Sequence, residues 1–237
     1  MPSWIFWGIF FMTTGYFLIS KIYGDDLWWH MACGRFFFEN GFYPPTDTFT
    51  FSPVRPVSPN SKTWLGDLFL YGIYHFGGGE IGLQLFQIIA ILVPVKVMLI
   101  MSGNRKNGMT LAMAVLIVLG TMQQQILKNS IFTLIFLPLI VLLWFLAKEK
   151  KKEYLLIGAP MIIGLWTYMH GYALVGMGIL SAIFVGELVD QIMNKEKRRP
   201  WFLSFFAVVL ISSFLIVNTN LRFQPVTIVA ENWSIKS

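Results

Sequence analysis

A single cysteine, Cys33, excludes an intrachain disulfide and any cysteine-rich metal site. Charge is scarce too. Asp, Glu, Lys and Arg make up 13% of the chain against 56% apolar residues, a balance at odds with a soluble domain of this length. No Gly-x-Ser-x-Gly, Walker or His-Glu-x-x-His motif occurs, so serine-hydrolase, nucleotide-hydrolase and zinc-protease chemistry have no footing. There is no internal repeat and no low-complexity tract. The net charge of +6 does not signal nucleic acid, because Lys and Arg fall in short loops between apolar stretches, where membrane topology places them. No nucleic-acid partner is expected.

What remains is a polytopic membrane protein. A bilayer core takes about 20 apolar residues to cross, and seven stretches qualify: 4–23, 81–101, 109–127, 131–147, 154–169, 172–189 and 201–217. The first lacks a basic leader and a clear cleavage site, so it is expected to be a retained span. An eighth stretch, 65–76, is short and carries Asp67 and His75, which predicts an interfacial or re-entrant helix. The expected fold is therefore all-α, a single membrane domain over 1–237 with about seven spans and a long extracytoplasmic loop over 24–79.

Lysine and arginine set the orientation. Arg105 and Lys106, then Lys148 to Lys152, then Lys195 to Arg199 occupy three loops that share one side only if 65–76 does not cross. The positive-inside rule makes that side cytoplasmic. It puts the amino terminus inside, and the carboxyl terminus and long loop outside. Lys21, after the first span, pulls locally the other way.

The polar residues then sort to the outer face, and the densest group is Gly24-Asp25-Asp26-Leu27-Trp28-Trp29-His30. If Asp25 caps a helix, Asp26 and His30 lie one turn apart on one face. Paired carboxylates can hold a general base, since like charges raise one pKa; they can equally hold a divalent cation through oxygen. The plainer reading is a helix cap followed by an aromatic interfacial anchor at Trp29. His170, followed by Gly171, ends a membrane helix on the same side, either as a polar end group or as a second imidazole near the acid pair. Lys128 and Arg222 suit a phosphate, or else snorkel toward headgroups. Trp64 opens the helix over 65–76, which either walls a cleft for a lipid-linked substrate or anchors the loop.

In order along the chain, Asp26-Leu27-Trp28-Trp29-His30 with Gly34, Gly41-Phe42-Tyr43-Pro44-Pro45-Thr46-Asp47, Trp64-Leu65-Gly66-Asp67 and Trp166 to Gly171 resemble segments of bacterial polytopic proteins related to the GT-C glycosyltransferases. Val217-Asn218 and Glu231-Asn232-Trp233 are similar to two later segments, both degraded. The resemblance implies a seven-span core in a bacterial cytoplasmic membrane and a polyprenyl-phosphate sugar as donor. It implies catalytic roles for Asp25, Asp26, His30 and His170, and substrate contacts at Lys128, Arg222, Trp29, Asp47 and Trp64. A divalent cation is a possible cofactor in that family. Tyr168 stands where the family has Asn, and a Pro-Tyr-Gly segment is missing. The alternative is thus a non-catalytic scaffold or accessory subunit, with membrane lipids and other membrane subunits as partners.

Overall fold

The structure, a computed structural model, describes residues 25–44, 63–103, 108–121, 128–193 and 200–222, with scattered positions between 4 and 16. The described residues are helical and contain no strand. Among the described residues from Asp25 onward, eight helices follow one another: α1 (Asp25–Asn40), α2 (Trp64–Phe76), α3 (Glu80–Met101), α4 (Gly108–Thr121), α5 (Phe132–Glu149), α6 (Gly158–Met169), α7 (Ala173–Met193) and α8 (Pro200–Arg222). Short 3₁₀ turns, Asn129–Ile131 and Glu153–Ile157, lead into α5 and α6.

Among the described residues four segments are long and apolar enough to cross a membrane: Glu80–Met101, Asn129–Glu149, Ala173–Met193 and Trp201–Thr219. Two shorter apolar helices, Gly108–Gly120 and Glu153–Met169, stand beside them. Among the seven expected spans, 4–23 lies almost wholly outside the described residues, as does the end of 109–127. Exposed Leu85, Ile89, Leu174, Val185, Val208 and Phe214 would be a liability in water; on membrane helices they suit contact with lipid tails.

Packing runs through the interior faces. Trp166 is fully buried, its ring 5.9 Å from that of Phe136 and set against Gly176 of α7, where no side chain would fit. Phe69, Phe86 and Phe132, from α2, α3 and α5, form a triangle with centroids 5.5 to 5.8 Å apart. Between α2 and α3 the chain reverses through Gly78 and Gly79, whose φ angles of 85° and 75° are ones that side-chain-bearing residues rarely adopt.

At the amino-terminal end of α5, α1 lies along α2, and α2 touches the start of α5 and the end of α6. At the other end sits the lysine-rich turn after Glu149. Over 21 residues from Asn129 to Glu149, at 1.5 Å each, those ends are about 30 Å apart. The loops carrying Arg105 and Lys106, and Lys195 to Arg199, fall outside the described residues.

Candidate functional site: a buried carboxylate between two imidazoles

An ionised side chain in the first turn of an apolar helix must find partners or destabilise the fold. Asp67, fully buried in α2 between Gly66 and Leu68, finds three. The Tyr43 hydroxyl donates to Oδ2 at 2.8 Å, His30 Nδ1 lies 2.8 Å from Oδ1, and Asn129 Nδ2 donates to the same Oδ1. Those partners come from α1, the segment after it, and the turn before α5. One carboxylate therefore ties together three parts of the chain that are distant in sequence.

Burial and the neighbouring Asp67 charge push the Tyr43 hydroxyl well above the usual phenol range, so it stays protonated and has a hydrogen to donate to Asp67. Asn129, 1% exposed, gives its amide to Asp67, and its Oδ1 has no hydrogen-bond partner. The buried Nε1 of Trp64 is likewise without one; the Trp64 ring lies 5.1 Å from Phe37 and 6.2 Å from Tyr168.

His170 follows the last residue of α6 in extended backbone. Its Nδ1 accepts the backbone N–H of Tyr172 at 3.1 Å, and its ring meets the Tyr172 ring edge-on at 4.3 Å. Desolvation, then repulsion by the like positive charge of His30 and Lys128, lowers its pKa to about 4. At neutral pH His170 is therefore uncharged. With Nδ1 accepting, its proton sits on Nε2, which makes that nitrogen a donor.

The structure thus brings His30, His170 and Lys128 into one electrostatic neighbourhood, with Lys128 immediately before Asn129. Trp29 packs edge-on against His30 at 5.1 Å, and Trp64 lies two positions before Gly66, which is close to both Asn129 and Met169. Asp26 is exposed, one turn ahead of His30 on α1. Asp25 begins α1 and Arg222 ends α8, but their side chains, and all of Asp47, lie outside the described residues. No group of three or more His, Cys, Asp or Glu side chains is arranged to hold a metal ion among the described residues.

Sequence reasoning passed over Asp67 as a site residue, along with Tyr43. The available signal was the isolated acid itself, placed among Leu65, Leu68, Phe69 and Leu70 of an otherwise apolar helix.

The opposite face of α2 is different in kind. Leu65, Leu68, Phe69 and Ile73 face Leu85, Phe86 and Ile89 of α3 across an open cleft of about 710 Å³ with almost no polar lining. Phe69 and Phe86 belong to the aromatic triangle with Phe132, one turn along α5 from Asn129. The apolar cleft and the polar cluster therefore lie on two faces of α2, and Phe132 packs against two rings that line the cleft. No protein-family model, curated protein or solved structure matches this chain.

Proposed function

We propose that the chain is a GT-C-like glycosyltransferase module, using a polyprenyl-phosphate-linked sugar on the extracytoplasmic face of a bacterial inner membrane. In this reading it crosses the bilayer seven times, with its amino terminus in the cytoplasm. The stretch from Gly24 to Gly79 is outside, and α2 lies at the interface.

The observation that carries the reading is that α2 has a lipid-sized apolar cleft on one face and the polar cluster of Asp67, His30 and Asn129 on the other, with Lys128 next to Asn129 in the chain. An isoprenoid tail suits a cleft lined by Leu, Ile and Phe. A phosphate suits Lys128 and the His170 Nε2–H, one a point charge and the other a neutral donor. The base for the incoming hydroxyl belongs to α1, where Asp26 and His30 share a face.

Binding in nanodiscs tests this. Native mass spectrometry should show farnesyl phosphate retained over farnesol, with Lys128→Ala losing at least tenfold of that preference and Leu68→Trp weakening both ligands. Equal retention of phosphate and alcohol, unchanged in Lys128→Ala, overturns the reading.

A scaffold role is favoured by one observation: Asp67 has no exposed surface and three donors, as a structural staple would. Under that reading Asp25→Asn with Asp26→Asn leaves the protein's cellular role intact, and the chain co-purifies with other membrane subunits. Under the transferase reading the same pair abolishes turnover in an assembled protein.

A further inference from the structure

We infer that Asp67 is a positioning residue that fixes the proton of His30 on Nδ1, so that His30 Nε2 becomes the proton acceptor of the site. The inference rests on the transferase reading for its chemistry but not for its geometry.

The argument is a count of donors. Tyr43 O–H and Asn129 N–H both point at Asp67, and each has a hydrogen to give and an oxygen to receive it. A protonated Asp67 would waste one of these contacts; an ionised one accommodates both and has capacity for a third. His30 Nδ1, at 2.8 Å, completes the set only by donating. The same assignment explains why Asn129 Nδ2 can sit 3.3 Å from His30 Nδ1: two donors converge on one carboxylate oxygen and need not bond to each other. Among the described residues His30 Nε2 is left without a hydrogen bond, on a side chain that is 20% exposed.

The two imidazoles are consequently complementary. His170 has its Nδ1 occupied by the Tyr172 N–H and presents Nε2–H as a donor. His30 has its Nδ1–H occupied by Asp67 and presents Nε2 as an acceptor. Facing His30 are Asp67 and Tyr43, the amide of Asn129, and His170 with Lys128; Asp26 lies one turn away on its own helix.

In a transfer, the incoming hydroxyl gives its proton to His30 Nε2 while its oxygen bonds to the anomeric carbon. The bond from that carbon to the phosphate oxygen breaks, its electron pair leaves on the phosphate, and Lys128 and His170 stabilise that charge. Asp67 stabilises the imidazolium that His30 becomes.

The chain has only three histidines, so the test is direct. ¹⁵N-histidine-labelled protein in nanodiscs is examined by NMR at pH 8, with the His30 signals identified by their loss in His30→Gln. Expected are a protonated Nδ1 and a bare Nε2 on His30; Asp67→Asn should move the proton to Nε2, and Tyr43→Phe should leave it in place. A wild-type His30 protonated on Nε2 overturns the inference without recourse to any variant, as does an unchanged tautomer in folded Asp67→Asn.

Where transfer is measured, Asp67→Asn should lower turnover by about 10⁴-fold, the effect of the same carboxylate-to-amide change behind a catalytic histidine elsewhere. The expected tautomer without retention of farnesyl phosphate leaves the dyad standing and removes the transferase. Retention of farnesyl phosphate with the wrong tautomer does the reverse.

Discussion

Gly34 of α1 rests against the main chain of Asp67. A methyl group at Gly34 would collide with the Asp67 carbonyl oxygen and stand 3.0 Å from Tyr71 Cβ. The contact brings α1 close enough for His30, one turn earlier, to reach the Asp67 carboxylate. On the other side of α2, Gly66 does the same for α6, where a methyl would lie 2.5 Å from the Met169 carbonyl oxygen. The buried acid is thus held between two helices by two neighbouring positions that tolerate no side chain.

Alanine at either glycine should therefore act by separating helices. Overpacking of this kind costs about 1–3 kcal/mol. Gly34→Ala is expected to lower the apparent Tm and to release the His30 contact with Asp67, whereas Gly72→Ala, where a methyl meets nothing within 4 Å, should be near neutral. Thermal unfolding in nanodiscs of the three proteins decides it. Equal Tm values for Gly34→Ala and Gly72→Ala would show that α1 does not lie against α2 in this way.

Removing the acid's partners should be graded. Tyr43→Phe deletes one hydrogen bond to a charged acceptor and is expected to cost about 1.5–3 kcal/mol. Asp67→Ala leaves the Tyr43 hydroxyl and the Asn129 amide without an acceptor, so its loss should be larger than that of Tyr43→Phe. Denaturation of the three proteins in mixed micelles measures the order. An Asp67→Ala no less stable than Tyr43→Phe would mean that the carboxylate does not organise the cluster.

The pH dependence follows from His170. Its pKa is about 4 when folded against about 6.5 for a free imidazole, so between those values the unfolded chain binds more protons. Stability then rises with pH across that window, and it falls as pH drops from 6.5 toward 4. His170→Gln removes the titrating group. Its apparent Tm should fall less than the wild type's between pH 7 and pH 4.5, and parallel curves would count against a buried neutral imidazole there.

Sequence patterning reached the apolar helices because each is a long run of one kind of residue. The stretches expected at 81–101 and 201–217 lie within α3 and α8, and those at 131–147 and 172–189 lie within α5 and α7 but for their first residue. The pairing of His30 with Asp67 was beyond it: they stand 37 positions apart, and nothing periodic links them. The eye was drawn instead to Asp25 and Asp26, since adjacent acids are conspicuous in a row of letters. A lone acid in an apolar helix is less so, although in energetic terms it makes the stronger demand. The helix over 65–76 was found from its composition, yet its two faces were not. That Leu65, Leu68 and Phe69 turn toward α3 while Gly66 and Asp67 turn toward α1, α5 and α6 depends on neighbours that only the fold supplies.

A second buried acid lies toward the opposite end of the bundle, and it tests whether polar contacts there fix helix packing. Glu187 of α7, 8% exposed, accepts from Trp144 Nε1 at 2.9 Å and from Lys148 Nζ at 2.8 Å, both through Oε1. Lys148 also stands 5.6 Å above the Trp144 ring and 3.9 Å from Asp190. Glu187→Gln keeps an oxygen for Trp144 and loses the ion pair; Glu187→Ala loses both and leaves the indole N–H buried. Interhelical polar contacts in membranes are worth about 0.6 kcal/mol on average and up to about 1.7. Glu187→Gln should therefore cost about 1 kcal/mol or less, and Glu187→Ala should cost more. A double-mutant cycle with Lys148→Met isolates the pair: coupling near zero would assign the stabilisation to Trp144, because Lys148, one-third exposed, reaches water as readily as it reaches Glu187.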